Sequence, residues 1–259
     1  YIQSIDPHQP YSAPEVPPHL ESQRPMTAPY DAEIFFNDRQ IGRLYERLIQ
    51  LGLAEDTLFV VTADHGEAFY EHQHQGHGQS VYEEEVRVPL LMLQPGVVPR
   101  RIVDRPVQLV DVMPTILKHC SIPFRAEVLQ GQDLFGESTS QPRPVFLSRY
   151  FYPDGAEIAE FRSDEYNSVI ETPWKLIVTL RVGSSQPQLE LYNLDNDSGE
   201  KSNLASQKPD VVARLHDHLR GFLRRQEQEK LAFRSVYGVQ RAARPPIPQN
   251  TLDQLRSLG

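Results

Sequence analysis

The feature that most constrains the fold is a continuous run of apolar and β-branched residues, 57–63, which ends directly in Asp64-His65-Gly66-Glu67. Such a run is typical of a strand that is buried on both faces of a parallel sheet. Ligands of open α/β sheets bind beyond the carboxyl ends of the strands, so Asp64 and His65 stand where a binding site is expected. Their oxygen and nitrogen atoms are suitable ligands for a divalent cation, although two ligands alone do not make a metal site.

An amphipathic helix is predicted before this run. Apolar residues recur at three- and four-residue steps over 30–53, with Asp31 placed to cap the start and Gly52 near the end. Residues 1–6 alternate like a short strand, and a proline-rich segment then ends it because proline removes a backbone donor. His8 is therefore predicted to lie just beyond the end of a strand.

The pattern after residue 67 alternates between helix and strand. A short helix is predicted over 80–86, a second buried strand over 89–93 and another helix over 107–119. This βαβ-like alternation predicts an α/β fold. We expect residues 1–140 to form part of a central, mostly parallel sheet with flanking helices.

A different pattern begins after residue 140. Short strands precede one long helix over about 210–233, which indicates a small antiparallel sheet accompanied by a helix. The predicted strands are 146–148, 166–170, 174–180 and 189–194. We therefore predict an α+β subdomain over 141–240 and an extended tail over 241–259.

Charge and composition exclude several classes of protein. The 26 basic and 35 acidic residues give a net charge of −9, which repels nucleic acid. The longest apolar runs are far shorter than the roughly 20 residues needed to cross a bilayer. Because Cys120 is the single cysteine, an internal disulfide framework and a cysteine-rich zinc site are both excluded.

Histidines are concentrated in the loop that follows the predicted buried strand. His72, His74 and His77 lie there with Gly76 and Gly78, whose small size lets the backbone approach an anionic ligand. A solvated loop can have the same composition, and an Asp-His pair can equally cap a helix. The residue pattern alone leaves these interpretations open.

Several short motifs, in order along the chain, resemble one known family. The chain is similar to the sulfatase branch of the alkaline phosphatase superfamily from about residue 1 to residue 225. The resemblance is carried by Tyr30-Asp31-Ala32-Glu33, Ala63-Asp64-His65-Gly66-Glu67, Gly76-His77-Gly78, residues 82–90, residues 110–115, Trp174-Lys175-Leu176-Ile177, residues 190–194 and Gly199-Glu200. Each motif is weak alone, but their order and spacing are specific.

The resemblance implies roles for four residues. Asp64 and His65 match metal ligands, and the implied ion is a divalent cation, most plainly Ca²⁺, with Mn²⁺ also compatible with a histidine ligand. His8 matches an active-site histidine that contacts the sulfate or the leaving oxygen. His77 falls where many sulfatases carry a sulfate-binding lysine, so imidazole replaces ammonium there. His72 and His74 have no counterpart in the family pattern.

The resemblance also implies a nucleophile that lies elsewhere. Sulfatases of this type use a formylglycine made from the first residue of a Cys/Ser-x-Pro-x-Arg motif, and Cys120 lacks the proline and arginine at the required spacing. The chain begins at Tyr1 without a signal-peptide pattern, which favours a cut chain. We therefore expect the formylglycine and two further aspartate ligands upstream, in a missing N-terminal half, and export of the whole protein by family analogy.

Three functions follow from these observations. The first is a sulfatase, a sulfuric ester hydrolase acting on a sulfated small molecule, glycan or lipid. The second is a phosphonate or phosphate ester hydrolase or phosphotransferase of the same superfamily, because both substrates present a tetrahedral anion. The third is a non-catalytic scaffold that binds anionic sugars. Under the first, this polypeptide alone is expected to be inactive and prone to associate, because its sheet would have unpaired apolar surface.

Overall fold

The computed structural model describes residues 1–23, 26–125, 129–136, 143–149, 164–181 and 183–237. The described residues form a mixed α and β structure. Its elements, in chain order, are α1 (Pro18–Gln23), α2 (Ala28–Gln50), β1 (Phe59–Thr62), β2 (Ala68–Phe69), β3 (Gln75–Gly76), α3 (Glu83–Val86), β4 (Leu90–Leu93), a 3₁₀ turn (Leu109–Asp111), α4 (Val112–His119), β5 (Val145–Arg149), β6 (Glu165–Glu171), β7 (Trp174–Leu180), β8 (Gln188–Asn193) and α5 (Pro209–Tyr237). No described helix is long and apolar enough to cross a bilayer.

Helix α2 confirms the predicted amphipathic helix and begins two residues earlier than expected. Thr27 precedes its first turn and donates from its hydroxyl to Asp31 at 2.7 Å. Pro29 is tolerated in the first turn, where its missing N–H has no helical partner in any case. The helix ends before Gly52, whose φ of +69° lies in the left-handed region that glycine adopts at little cost.

Strands β1 and β4 confirm the two predicted strands, but their direction differs from the expectation. They pair antiparallel, with Phe59 opposite Leu93 and Thr62 opposite Leu90, and both are only partly buried. The reason lies in the connection between them. The backbone N–H of Gly66, just beyond β1, donates to the Glu85 carbonyl in α3 at 2.8 Å. Helix α3 therefore lies at the C-terminal end of β1, and β4 starts from that same end and runs back along β1.

The strand predicted over residues 1–6 is not formed. These residues are exposed and carry no regular structure. The Asn37 side chain on α2 donates a hydrogen bond to the Asp6 carbonyl at 2.8 Å and so connects this segment to the rest of the molecule. A strand needs a neighbouring strand with which its backbone N–H and C=O groups can form hydrogen bonds. The described part of the chain pairs no strand with this segment.

The C-terminal unit, β5 to β8 with α5, confirms the predicted antiparallel sheet and long helix. Its strands run in the order β5-β6-β7-β8. One face of the sheet packs against α5 around fully buried Val169, Leu176, Leu191 and Leu215. The other face carries Tyr166, Ile177 and Tyr192 and packs against Val81 and Tyr82. The predicted tail over 241–259 lies outside the described residues.

Candidate active site

Three histidines from distant parts of the sequence meet in one place. The rings of His65 and His77 stack with centroids 4.0 Å apart, and His8 meets His77 edge-on at 5.7 Å. Asp64 precedes His65, and its Oδ1 lies 3.8 Å from His65 Nε2. The structure therefore brings together all four residues that the sequence singled out, which we call the histidine site.

A small hairpin sets the position of His77. Strands β2 and β3 pair Ala68 with Gly76 and Phe69 with Gln75. The next opposed positions are Glu67 and His77, and Glu67 Oε2 lies 3.0 Å from His77 Nδ1. Gly76, with a φ of +93°, supplies the left-handed backbone needed where the hairpin opens toward His77.

His8 is held through its backbone by a buried acid on α2. Glu33 is only 2% exposed, and its Oε2 accepts the His8 backbone N–H at 3.0 Å. Its other oxygen accepts the Ser12 N–H at 2.5 Å. The His8 ring donates from Nδ1 to the Gln9 carbonyl at 2.7 Å, because a carbonyl oxygen can only accept. The segment around His8 is thus clamped although it forms no strand.

Helix α3 links the residues that follow His65 to those that follow His77. Glu85 accepts the Gly66 N–H at its carbonyl, while its carboxylate accepts the Gln79 N–H at 2.9 Å and the Ser80 hydroxyl at 2.5 Å. The fit is close, since a Cβ on Gly66 would lie 2.1 Å from the Glu84 carbonyl oxygen. One buried acid therefore ties both loops of the site together.

A buried lysine joins α3 to the C-terminal unit. Lys175 on β7 is fully buried, and its Nζ lies 2.9 Å from Glu83 Oε1 and 2.9 Å from Glu200 Oε1. Glu200 Oε2 also accepts the Glu83 backbone N–H at 2.6 Å. Burial raises the pKa of the Glu200 carboxyl, and the Lys175 charge opposes that shift. We call Lys175, Glu83 and Glu200 the lysine triad.

His72 and His74 do not join the histidine site. The His72 ring stacks on Tyr82 with centroids 3.7 Å apart, and its nitrogens lie 2.6 Å from Glu84 Oε1 and 2.9 Å from the Glu200 carbonyl. His74 sits in the hairpin turn, where its carbonyl accepts the Tyr70 N–H at 2.8 Å. His72 therefore fastens the hairpin to the C-terminal unit.

A polar cavity of about 590 Å³ lies beside this junction rather than at the histidine site. Within it, the hydroxyls of Tyr82 and Tyr192 both donate to Glu190 Oε2 at 2.7 Å. Burial, followed by the hydrogen bond to Glu190, raises the pKa of both phenols. None of the four residues of the histidine site lines this cavity.

An aromatic group packs behind Glu67. The rings of Tyr11, Tyr30 and Phe69 contact one another with centroids 5.1 to 6.2 Å apart. Burial, followed by the charge of Glu67, raises the pKa of Tyr11 to about 12. Tyr11 therefore remains a neutral phenol at physiological pH, and Glu67 is shielded from water on this side.

Asp64 and His65 offer two donor atoms that suit a divalent cation, and Asp64 Oδ1 and His65 Nε2 are 3.8 Å apart. For an ion about 2.3 Å from both atoms this separation corresponds to an angle of about 110°, which is wider than the roughly 70–90° between neighbouring ligands of a six- to eight-coordinate ion such as Ca²⁺, so the two side chains must approach each other to bind one. His65 Nδ1 donates to the Gly66 carbonyl at 2.9 Å, so Nε2 carries the lone pair that a metal needs. The described residues contain no group of three or more such ligands, so a full shell requires further ones.

One stretch of the sequence does match the formylglycine motif by letter, and the expectation of an upstream nucleophile overlooked it. Ser121-Ile122-Pro123-Phe124-Arg125 reads Ser-x-Pro-x-Arg. It follows α4, whose His119 contacts Gln94 at 2.5 Å directly after β4. Since β1 and β4 are antiparallel, this is the opposite end of the pair from Asp64. The match therefore lies away from the histidine site.

Sequence reasoning gave no role to the three acids that hold the site, namely Glu33, Glu67 and Glu85, although each lies within a motif that carries the family resemblance. Their local sequence does little to mark them as buried. The available signal was weak: Glu33 lies on the same face of α2 as the buried Ala28 and Ala32. For Glu67 and Glu85 the decisive information is the hairpin register and the packing of α3, which are not local properties.

Comparisons with known proteins identify the family of the chain. The family model described as Sulfatase matches residues 1–122, and the one described as N-sulphoglucosamine sulphohydrolase, C-terminal, matches residues 71–227. Arylsulfatase K of Bos taurus is 32% identical over 190 residues, which cover 72% of this chain and 34% of the relative. The chain thus spans about a third of the length of this curated relative.

Solved structures show the same fold. A protein bound to its substrate D-glucosamine-2-N,6-O-disulfate aligns with a TM-score of 0.61 and 21% identity, over 78% of this chain and 42% of that one. A phosphonate monoester hydrolase from Silicibacter pomeroyi aligns with a TM-score of 0.60 and 25% identity, over 78% of this chain and 40% of that one. This fold, together with the matches to the family models and to the curated relatives, places the chain in the alkaline phosphatase superfamily. Within that superfamily, the chain belongs to the sulfatase family.

Proposed function

We propose that this chain is part of a sulfatase that hydrolyses sulfate esters of sugars with the help of a divalent cation. The observation that carries the proposal is the meeting of His8, His65 and His77 beside Asp64 within a sulfatase fold. The kinship to Arylsulfatase K supports sulfate ester chemistry, and the fold shared with a protein that binds a sulfated glucosamine supports a sugar substrate.

Each residue of the histidine site has a defined task in this proposal. Asp64 Oδ1 and His65 Nε2 serve as two ligands of the cation, most plainly Ca²⁺. A bound cation would supply positive charge that offsets the negative charge of the sulfate group. The Nδ1–H groups of His8 and His77 already donate to the Gln9 carbonyl and to Glu67. As imidazolium, with both nitrogens protonated, each ring can also donate from Nε2 to a sulfate oxygen or to the leaving oxygen, where charge develops as the S–O bond breaks.

The proposal places the attacking oxygen on a formylglycine outside these 259 residues. The histidine site contains no serine or cysteine, and the Ser-x-Pro-x-Arg match at Ser121 lies at the other end of the β1–β4 pair. We therefore expect the polypeptide alone to lack sulfatase activity. Sulfate release by the purified chain, or loss of all activity in the complete protein with Ser121→Ala, would contradict this.

The proposal is tested in the complete protein with 4-nitrophenyl sulfate and with glucosamine carrying N- and 6-O-sulfate groups. Asp64→Ala and removal of divalent cations by a chelator should each abolish turnover. His8→Ala and His77→Ala should lower kcat/KM by about 10²- to 10⁴-fold, the usual contribution of a positioned proton donor. His119→Ala is the matched control, and we expect it to retain activity because His119 lies away from the site.

A phosphonate or phosphate ester hydrolase is the second candidate, and the likeness to the Silicibacter pomeroyi enzyme supports it. Both substrate classes present a tetrahedral anion to the same ligands. Comparing kcat/KM for 4-nitrophenyl sulfate with that for 4-nitrophenyl phenylphosphonate separates them. A higher value for the phosphonate refutes the sulfatase proposal, and binding of sulfated sugar without turnover of either ester indicates a scaffold.

A further inference from the structure

We propose that Glu67 is a positioning residue that orients His77, so that His77 Nδ1 donates to Glu67 and Nε2 is presented to the substrate anion. This inference rests on the proposed function for the role of His77, but not for the geometry of the pair. Glu67 itself makes no contact with substrate in this proposal. It acts only by deciding which nitrogen of His77 is available.

The chemistry of the two side chains determines which of them donates the hydrogen bond. Glu67 Oε2 lies 3.0 Å from His77 Nδ1, and a carboxylate oxygen can only accept a hydrogen bond. The proton of that bond therefore belongs to Nδ1. The second nitrogen, Nε2, lies on the far side of the ring and points away from Glu67. With Nδ1–H donated to Glu67, Nε2 carries only a lone pair in the neutral ring, so it donates to the substrate anion when the ring is an imidazolium with both nitrogens protonated.

The pair is built into the backbone rather than formed by flexible side chains. The register of β2 and β3 makes Glu67 and His77 the next opposed positions after Ala68 and Gly76. The Glu67 side chain is 6% exposed, whereas that of His77 is 34% exposed. A buried acid that holds a partly exposed imidazole is the arrangement expected when the ring must face a ligand.

The surroundings restrict both partners further. His77 stacks on His65 at 4.0 Å, which limits tilting of its ring. Glu67 is screened by the Tyr11 and Phe69 rings, which are 6.2 Å apart. A buried carboxylate needs hydrogen-bond donors, and His77 supplies one of them. The same contact therefore orients the histidine and satisfies the acid.

The geometry can be tested without turnover. In protein labelled with ¹⁵N-histidine, long-range ¹H–¹⁵N correlations report which ring nitrogen carries the proton, and His77→Gln assigns the signals. In the neutral form of His77 we expect the proton on Nδ1. In Glu67→Leu, which removes the acceptor, the ring should lose this preference. A wild-type His77 protonated at Nε2, or an unchanged ring in Glu67→Leu, would overturn the inference.

The consequence for catalysis is tested by a double-mutant cycle in the complete protein. Glu67→Gln should lower kcat/KM about 10- to 100-fold, the usual cost of removing a partner that orients a site residue. In a His77→Ala background the same change should cost less than about twofold, because the residue through which Glu67 acts is gone. Full additivity of the two losses refutes the positioning role.

A matched control separates this effect from a general loss of charge. Glu46 is an exposed glutamate on α2, and Glu46→Gln should leave kcat/KM within about twofold. The two proposals also fail differently. If the wild-type protein hydrolyses no sulfate ester, the proposed function fails, while the ¹⁵N measurement still decides whether Glu67 orients His77.

Discussion

The C-terminal unit and the region around β1 and β4 cover their apolar surface in different ways. In the C-terminal unit, α5 covers one face of the sheet, and Leu176, Leu191 and Leu215 are fully buried. In the β1–β4 pair, Leu91 remains 56% exposed, and neither strand has a second neighbour among the described residues. The histidine site is therefore not supported by a buried apolar core like that of the C-terminal unit.

The histidine site is instead held by buried polar groups that connect it to the C-terminal unit. The lysine triad fixes α3 to β7, and Glu85 of α3 fixes the loops that contain His65 and His77. Buried charged groups of this kind are costly unless every partner is present. The histidine site is therefore expected to be more sensitive to polar substitutions than to apolar truncations nearby.

The largest effect is expected from replacing Lys175, the buried lysine of the lysine triad. Lys175→Met leaves Glu83 and Glu200 buried without their shared cation, which should lower the free energy of unfolding by about 3–5 kcal/mol. Urea denaturation followed by circular dichroism measures it. Lys230→Met is the control and should change stability by less than about 0.5 kcal/mol, because Lys230 is exposed on α5. Equal effects would show that the triad has no special role.

A pair of leucine truncations sharpens the contrast between the two regions. Leu215→Ala opens a cavity in a fully buried core and should cost about 2–5 kcal/mol in the free energy of unfolding. Leu91→Ala removes a half-exposed side chain and should cost less than about 1 kcal/mol. Thermal denaturation of both variants tests the comparison, and a larger loss for Leu91→Ala reverses it.

A third change tests whether α3 positions the histidine site. In Gly66→Ala the new Cβ would lie 2.1 Å from the Glu84 carbonyl oxygen, so α3 must move. We expect a loss of about 1–3 kcal/mol in unfolding free energy and a loss of sulfate ester turnover. Gly131→Ala creates a similar clash, 1.9 Å from the Val110 carbonyl oxygen. It should lower stability while turnover by the folded protein remains, and loss of turnover in both variants would contradict a specific role for α3.

The smallest expected effect is a gain in stability from a substitution on α2, away from the lysine triad. Gly42 lies within α2, and a Cβ there would meet no atom within 4 Å. Gly42→Ala should raise the free energy of unfolding by up to about 1 kcal/mol, because alanine favours the helix. Turnover of the complete protein should be unchanged. A fall in the thermal midpoint would mean that this face of α2 is covered in the protein.

The sequence predicted the elements whose signals are local. The helical period of α2 and the short strand-like runs of β6, β7 and β8 were sufficient, and the observed bounds of these elements differ from the predicted ones by only a few residues. Residues 1–6 show the limit of alternation, since a strand also requires a neighbour. The antiparallel pairing of β1 and β4 was missed because it depends on where α3 packs.

The members of the histidine site could be predicted from the sequence, but the residues that hold them in place could not. His8, His65 and His77 were found through resemblance to a family pattern, which carries long-range information that a single sequence lacks. Glu67 and Lys175 were not found, because each gains its meaning only from a partner reached through tertiary pairing. A glutamate and a lysine look the same in sequence whether they face water or a buried ion.

The register of the β2–β3 hairpin makes the number of residues in its turn more important than their identity. Adding or deleting one residue between Phe69 and Gln75 would slip the pairing and turn the side chains to the opposite face. Glu67 and His77 would then point apart even though both remained in the sequence. A change of length in the turn would therefore separate the pair, whereas a change of chemistry at constant length would leave the pair in place and affect the contacts that His72 makes with Glu84 and Tyr82.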